Sequence, residues 1–410
     1  MSEWKEVRLG DLCYRVCSGG TPKSTCSVYY DGGTIPWLNT KEINYNRIYQ
    51  TESHITEEGL NNSSAKWIDA NSVIVAMYGA TAGRVAVAKI PMTTNQACCN
   101  LMIDKSKADY NFIYYYLSNN YKHLLSMANG AAQQNLNAQV IKDFVISLPE
   151  IGEQHRISSF LSALDDKIAV NRRICENLEA QAQALFKHWF IDFAPFKNGQ
   201  FVESELGMIP EGWRVGKLED LGRIICGKTP SKTKKSYYGG DVPFIKIPDM
   251  HGNVFILKSE DNLSIEGSNS QSNKLIPEFS IMVSCIATVG LVAMNVKPSH
   301  TNQQINTIVP YQSCYRYYVY ENLKLKNKEL LMLGSSGTTT YNVNTRTFSS
   351  LKILVPELRV FEDYNNVIKF HFEKILNLYQ ESSRLSTLRD TLLPKLMSGQ
   401  IKVNEIEKGL

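Results

Sequence analysis

Long apolar runs are missing from this chain. No stretch of eighteen apolar residues occurs in its 410 positions, so no ordinary membrane-spanning helix is encoded. The opening residues, Met1-Ser2-Glu3-Trp4-Lys5, place no apolar core behind a basic segment, and no secretory signal is expected. Cysteine is present but unorganised. Its nine residues are an odd number without framework spacing, which suits a reducing cytoplasm and not a disulfide scaffold. Paired Cys-x-x-Cys and His-Glu-x-x-His are both absent, Cys13, Cys17 and Cys26 lack neighbouring histidines, and the seven histidines are scattered, so no metal site is expected. There is no Asn/Asp-Pro-Pro-Tyr/Phe run and no Gly-x-Gly-x-x-Gly opening a helix. Neither base amino-methylation nor dinucleotide chemistry is therefore expected of this chain itself.

Strong net charge is also lacking. The formal value is +4, too small to identify a polyanion partner by itself, although segregated charge would still permit one. The densest basic run holds Lys228, Lys232, Lys234 and Lys235. Hydrophobic residues at 43% and charged residues at 20% indicate a globular protein, and the length fits two domains with connecting helices.

What the chain does contain, it contains twice. Trp4, Leu9, Asp11 and Leu12 recur as Trp213, Leu218, Asp220 and Leu221, an offset of 209. Thr21-Pro22 and Tyr29-Tyr30 return at 208 as Thr229-Pro230 and Tyr237-Tyr238. From Gly32-Gly33 onward the offset settles at 207, through Thr94-Asn95-Gln96/Thr301-Asn302-Gln303 to Pro149/Pro356. The matching residues are mostly Gly, Pro, Asn and Thr, which set turns and special backbone angles. Two globular halves with a shared fold and different surfaces are expected.

Within each half the pattern is mixed. Val73–Met77 and Val85–Ala88, with Ile281–Ile286 and Leu291–Val296, read as short strands around an Ala-Thr-x-Gly turn. Phe112–Leu125 and Tyr317–Leu333 read as helices, Phe144–Leu148 and Leu351–Val355 as closing strands. The Gly239-Gly240 pair reads as a turn. Each half is thus an α+β domain.

After Pro149 and Pro356 the period changes to that of a long helix. Leu161, Leu164, Ile168, Asn171, Cys175, Leu178, Ala182, Leu185 and Trp189 keep a three-four spacing. At the 207 offset the second copy gives Ile368, His371, Ile375, Leu378, Ser382, Leu385, Arg389, Leu392 and Leu396, a seam interrupted by polar residues. Two such heptad seams in one chain predict an antiparallel two-helix coiled coil. Residues 161–189 would span roughly 40 Å, more than one turn of B-DNA at about 34 Å.

One match points elsewhere. Gly222-Arg-Ile-Ile-Cys-Gly227-Lys228-Thr229 fits the phosphate-loop pattern, which requires a helix opening directly behind it. Here Pro230 and a polar stretch follow, and the equivalent Cys17-Ser-Gly-Gly20-Thr21-Pro22 has no lysine. A shared Gly-x-Thr-Pro loop explains the segment better than nucleotide binding.

The whole chain resembles the specificity subunits of type I restriction–modification enzymes. The resemblance rests on Trp-x₄-Leu-x-Asp-Leu followed by the Gly-x-Thr-Pro loop, the Thr-Asn-Gln stretch, and Leu148-Pro149 before the central helix. More specific still are the linker from Glu203 to Trp213 and the tail Leu392-Leu-Pro-Lys-Leu-Met-Ser-Gly-Gln-Ile401. It implies an α+β protein with a pseudo-two-fold internal repeat. One target-recognition domain would occupy 1–149, a central spacer helix 150–195, a linker and second recognition domain 196–355, and a C-terminal spacer helix and tail 356–410. It further implies a non-catalytic, cytoplasmic subunit that reads double-stranded DNA at a bipartite target. Two modification (methyltransferase) subunits and restriction/translocase subunits would be its partners. No cofactor is expected on this chain; S-adenosylmethionine, ATP and Mg would belong to those partners. The other reading left open is a stand-alone two-domain DNA-binding protein.

For DNA contact, phosphates set affinity and position while base edges carry sequence information. Candidate phosphate contacts are Lys23, Arg84, Lys228, Lys232, Lys234, Lys235 and Lys246. Candidate base readers are Asn39, Lys41, Gln133, Gln134 and Tyr341, long polar side chains in loops that the repeat does not preserve. Lys41 aligns with Pro248 and Gln134 with Tyr341, so unlike half-sites are expected.

Overall fold

The computed structural model describes residues 4–127, 136–334 and 342–407. The chain divides into two compact units, one of Met1–Lys167 with Arg384–Leu410 and one of Ile168–Ser383. The dividing line cuts both long helices, so each helix begins in one unit and ends in the other.

In the first unit a five-stranded sheet has the order Cys13–Ser18, Cys98–Ile103, Val73–Ala76, Val85–Ala88, Asn46–Ile48, antiparallel but for the last pair. The strands Val73–Ala76 and Val85–Ala88 are β-branched or small and buried at every position, as suits a sheet covered on both faces. The turn joining them puts Gly79 and Gly83 at φ +74° and +78°, where a Cβ is disfavoured. A second sheet runs Ser53–Ile55, Ile35–Leu38, Met92–Thr94, Trp67–Ile68. The strand Lys5–Arg8 pairs with Val145–Leu148, bringing the start of the domain to its end just before the first long helix.

The second unit repeats this plan. Its main sheet runs Gly222–Cys226, Ile305–Pro310, Ile281–Ser284, Val292–Asn295, Phe255–Ile256, and Arg214–Lys217 pairs with Lys352–Val355. The pairs Arg8↔Val145 and Lys217↔Lys352 preserve the sequence repeat as three-dimensional register.

Two expectations need correction. Each anticipated domain helix is broken in two: Tyr110–Asn119 and Tyr121–Ser126 in the first unit, Tyr315–Leu325 and Asn327–Gly334 in the second. The Gly239-Gly240 pair does not end a strand. It lies inside the strand Tyr238–Ile245 as a bulge, where the register shifts between Tyr238 and Val242 and Gly239 takes φ +83°. A bulge uses a left-handed glycine as readily as a turn does, and composition does not separate the two.

The long helices are Ile151–Phe190 and Leu358–Met397, forty residues each. Pro394 falls inside the last turn of the second, yet the helix continues to Met397. In the first unit Leu161 packs with Leu392 and Leu396; in the second Cys175, Ala182 and Phe186 pack with Ile368, Phe372 and Ile375. Within each unit the pairing is antiparallel. Leu164, Ile168, Leu178, Leu185, Trp189 and Leu385 are half-buried, and Leu378 is buried.

Two polar interruptions of the second seam, Ser382 and Arg389, are matched across it, whereas the buried Nδ1 of His371 has no hydrogen-bond partner among the described residues. Buried Asn171 donates through Nδ2 to Glu381 (2.8 Å) and to Ser382 (3.3 Å). Arg389 meets Asp165 at 2.6 Å, and Asp165 also accepts from the Tyr115 hydroxyl at 2.5 Å. Arg47 on the edge strand then reaches Asp166 (3.0 Å), Ser162 (2.8 Å) and Tyr115 (3.2 Å). This network ties the first sheet to the helix that leaves it. Polar pairs in a seam fix register, since any slip strands a buried polar group.

Each repeat also opens on a tryptophan. Trp213 is buried among Phe190, Phe193 and Phe196, ring centroids 5.0–5.8 Å away. Trp4 instead lies beneath Gly399, whose φ of +69° ends the second long helix and where a Cβ would meet the indole at 3.3 Å.

The second unit holds one ionisable group at odds with its surroundings. Glu321 is 1% exposed, its Oε2 lacks a hydrogen-bond partner among the described residues, and burial pushes its carboxyl up to about 8, with Lys324 opposing and Glu179 adding to the shift. The folded protein therefore prefers the protonated acid. Stability is fullest below the ordinary carboxyl value near 4.5 and falls as pH rises toward 8. Glu321→Gln should flatten this loss. Above pH 8 it should raise the denaturation free energy of the second unit relative to the parent by on the order of 3–5 kcal/mol, measured by chemical unfolding at pH 5 and pH 8.5.

Candidate nucleic-acid interface

In each unit the Gly-x-Thr-Pro loop is pressed onto the Thr-Asn-Gln stretch. In the first, Gly20 N–H donates to the Thr94 carbonyl at 2.9 Å and Gly19 N–H to the Cys98 carbonyl at 3.3 Å. In the second, Lys228 N–H donates to the Thr301 carbonyl at 2.9 Å and Gly227 N–H to the Ile305 carbonyl at 3.1 Å. The threonine hydroxyl binds the glutamine side chain in both, Thr21 to Gln96 and Thr229 to Gln303 (2.6 Å). A tyrosine hydroxyl then holds the proline carbonyl: Tyr30 on Pro22 at 2.6 Å, Tyr238 on Pro230 at 2.8 Å. A Cβ at Gly19 would lie 2.1 Å from the Thr94 oxygen, and one at Gly227 2.2 Å from that of Asn302, so only glycine fits.

The support beneath this loop differs between the units. The Gly20 carbonyl accepts from the indole N–H of buried Trp37 at 2.9 Å. The equivalent Lys228 carbonyl accepts from the Gln271 amide at 3.0 Å. Gln271 in turn contacts His300 Nδ1 at 3.3 Å, and Ser268 contacts the other ring nitrogen at 2.9 Å. Burial pulls the His300 imidazole down to about 4, so it is neutral and serves as a fixed hydrogen-bonding spacer.

This geometry is not that of a phosphate loop. The strand Gly222–Cys226 leads into an extended segment, the next helical turn is the single 3₁₀ turn Lys235–Tyr237, and the Thr229 hydroxyl is engaged by Gln303. No helix opens directly behind Gly227 to present N–H groups to a phosphate.

The candidate contact residues fall into three groups. Lys23, Lys228, Lys232, Lys234 and Lys235 lie on or beside the pinned loops with exposed side chains. Among the described residues none of the five has a carboxylate within 4 Å; Lys234 instead rests over the Tyr237 ring, and the Tyr237 hydroxyl 3.0 Å from its ammonium raises its pKa. A second group has partners inside the fold. Lys41 pairs with Glu52 at 2.6 Å, a contact that raises its pKa, Arg84 donates to Asn44 at 3.0 Å, and Lys246 pairs with Asp261. Asn39 caps the 3₁₀ turn Thr40–Glu42 by accepting from Lys41 N–H at 3.3 Å. Asn39 and Lys246 occupy the same repeat position, and each N–H donates to an acid three residues on, Glu42 at 3.0 Å and Asp249 at 2.8 Å. Gln133, Gln134 and Tyr341 lie outside the described residues.

Sequence reasoning passed over Gln96 and Gln303, whose exposed side chains stand beside the threonines of the pinned loops. The signal was present, since both belong to the repeated Thr-Asn-Gln stretch. It also passed over Glu42 and Asp249, although an acid three residues after a capping position is a readable pattern. Removing one loop support tests the arrangement. Trp37→Phe keeps the ring but leaves the buried Gly20 carbonyl unpaired, and should destabilise the first unit by about 1–3 kcal/mol in denaturant titration.

Comparison with known proteins places this geometry in a family. The sequence model described as "Type I restriction modification DNA specificity domain" matches residues 1–180 and again 210–368. The HindI specificity subunit of Haemophilus influenzae is 33% identical, over 98% of this chain and all of that protein. The MjaIX specificity subunit of Methanocaldococcus jannaschii is 29% identical, over 98% and 95%. The crystal structure of a type I S subunit from M. genitalium superimposes with a TM-score of 0.61 over 96% of both chains at 16% identity, which shows the shared fold. Two family matches at the two sequence repeats, together with duplicated loops built alike, establish that this chain belongs to the specificity subunits of type I restriction–modification systems.

Proposed function

We propose that this chain is the non-catalytic reading subunit of its complex, recognising a bipartite and asymmetric target in double-stranded DNA. The observation that carries the reading is the duplicated pinned loop. Identical backbone contacts hold it in both units, while the side chains it carries differ. A repeated scaffold with unrepeated exposed residues suits two similar domains that read unlike half-sites. Base-edge readout depends on which polar groups face the groove, and the pairs Lys41/Pro248 and Lys228/Gly20 are chemically unlike.

The partners in this reading are two modification subunits, with restriction/translocase subunits completing the assembly. Adenine methylation, cleavage and their S-adenosylmethionine, ATP and Mg belong to them. Among the described residues no group of three or more His, Cys, Asp or Glu is placed to hold a metal ion, and no helix is long and apolar enough to cross a membrane. The setting in this reading is the cytoplasm.

Two measurements test it. Co-expression with a neighbouring methyltransferase gene should give copurification at a fixed ratio of two methyltransferase chains to one of this chain. A chain that purifies alone and still binds DNA specifically would favour the stand-alone reading. Methylation-aware sequencing of host DNA should return a split adenine-methylated motif with unlike halves; a perfect palindrome would refute the asymmetry.

A further inference from the structure

We propose that the two recognition domains share DNA binding unequally, with the lysines of the second domain's pinned loop supplying most of the sequence-independent, salt-sensitive attraction to phosphate. The proposal rests on the DNA-reading function above and assigns a division of labour within it.

The comparison is controlled by the fold itself, because the same loop is held by the same backbone contacts in both units. At the 208 offset Gly20, Ser24, Cys26 and Ser27 are replaced by Lys228, Lys232, Lys234 and Lys235, and Lys23 alone runs the other way, opposite Ser231. Gly20 has no room for a side chain: a Cβ there would come within 2.2 Å of the Ala65 nitrogen. In the second unit the loop carbonyl is held by the Gln271 amide in place of an indole, and position 228 carries a lysine whose side chain is exposed. The packing of Ser64 and Ala65 thus excludes a side chain at position 20, while position 228 displays one.

The same four lysines account for the difference in net charge between the domains. Residues 196–355 hold 18 Lys and Arg against 13 Asp and Glu, whereas residues 1–149 hold 13 against 12. In the first domain Lys41 pairs with Glu52 and Arg84 donates to Asn44, both at the surface. The four loop lysines of the second have no carboxylate within 4 Å among the described residues, and the Tyr237 ring under Lys234 restrains that side chain without neutralising it. Unpaired, clustered ammonium groups on a fixed loop release condensed counterions from a duplex. Paired ones release few.

The test uses the full chain and a roughly 40-bp duplex of arbitrary sequence, with binding measured from about 50 to 200 mM salt. Because each phosphate contact contributes about 0.9 to the slope of log K against log salt, K228A/K232A/K234A/K235A should reduce the slope by about three, and K23A by no more than about one. Grafting the charge onto the first domain, as S24K/C26K/S27K, should steepen the slope by about two to three. An unchanged slope in the four-lysine variant, or a graft without effect, overturns the proposal alone. A parent chain that bound no duplex at any salt would sink the DNA-reading function and this proposal with it.

Discussion

One close approach underlies both recognition domains: a glycine backbone lying where any Cβ would collide with a carbonyl oxygen of the Thr-Asn-Gln stretch. From Gly19 and Gly227 the consequences run outward. The loop can bond through two successive N–H groups only because the glycine lets the strands close together. The threonine then reaches the glutamine, and the proline carbonyl falls under a tyrosine hydroxyl. A loop tied at four points loses little further conformational freedom when it meets a ligand, and that is the use of rigidity in a reading surface.

The long helices show a second kind of constraint. Apolar seam residues favour association but are indifferent to sliding by a heptad; Asn171 and Arg389 are not. Arg389 needs Asp165, which in turn ties to Tyr115, and Asn171 needs Ser382 and Glu381. Two of the interruptions that make the second seam look weak in sequence, Ser382 and Arg389, specify its register in the structure. Each compact unit contains parts of both helices. The seam core of each unit is continuous with the core of its own domain.

Much of this was legible in the sequence, because repetition is a strong signal and heptad spacing is another. The paired offsets located the pinned loops, the main strands and the start of each long helix. What could not be read were relations between residues with no fixed spacing. Nothing in the order of residues links Asp165 to Arg389, or Trp37 to the Gly20 carbonyl. The Gly239-Gly240 bulge was misread because left-handed glycine serves a bulge and a turn alike. Asn39 and Lys41 read as base contacts because they are long and polar in unrepeated places, and Arg84 and Lys246 as phosphate contacts because they are basic. The fold gives each of them an internal partner, which sequence alone does not reveal.

The repeat also separates what must be kept from what can drift, and the boundary lies deeper than the surface. The outermost residues of the loops differ, as expected of two readers. Yet the layer beneath differs too: one carbonyl, at Gly20 or Lys228, is satisfied by an indole in one domain and by a glutamine resting on a neutral histidine in the other. The need for a donor at that point is set by a carbonyl that burial would otherwise leave unpaired. The identity of the donor is free, whereas the side chain at this position is limited in the first domain by the Ser64 and Ala65 backbone. What the loop can present is therefore set from below as well as at its surface, since the backbone beside Gly20 leaves no room for a side chain.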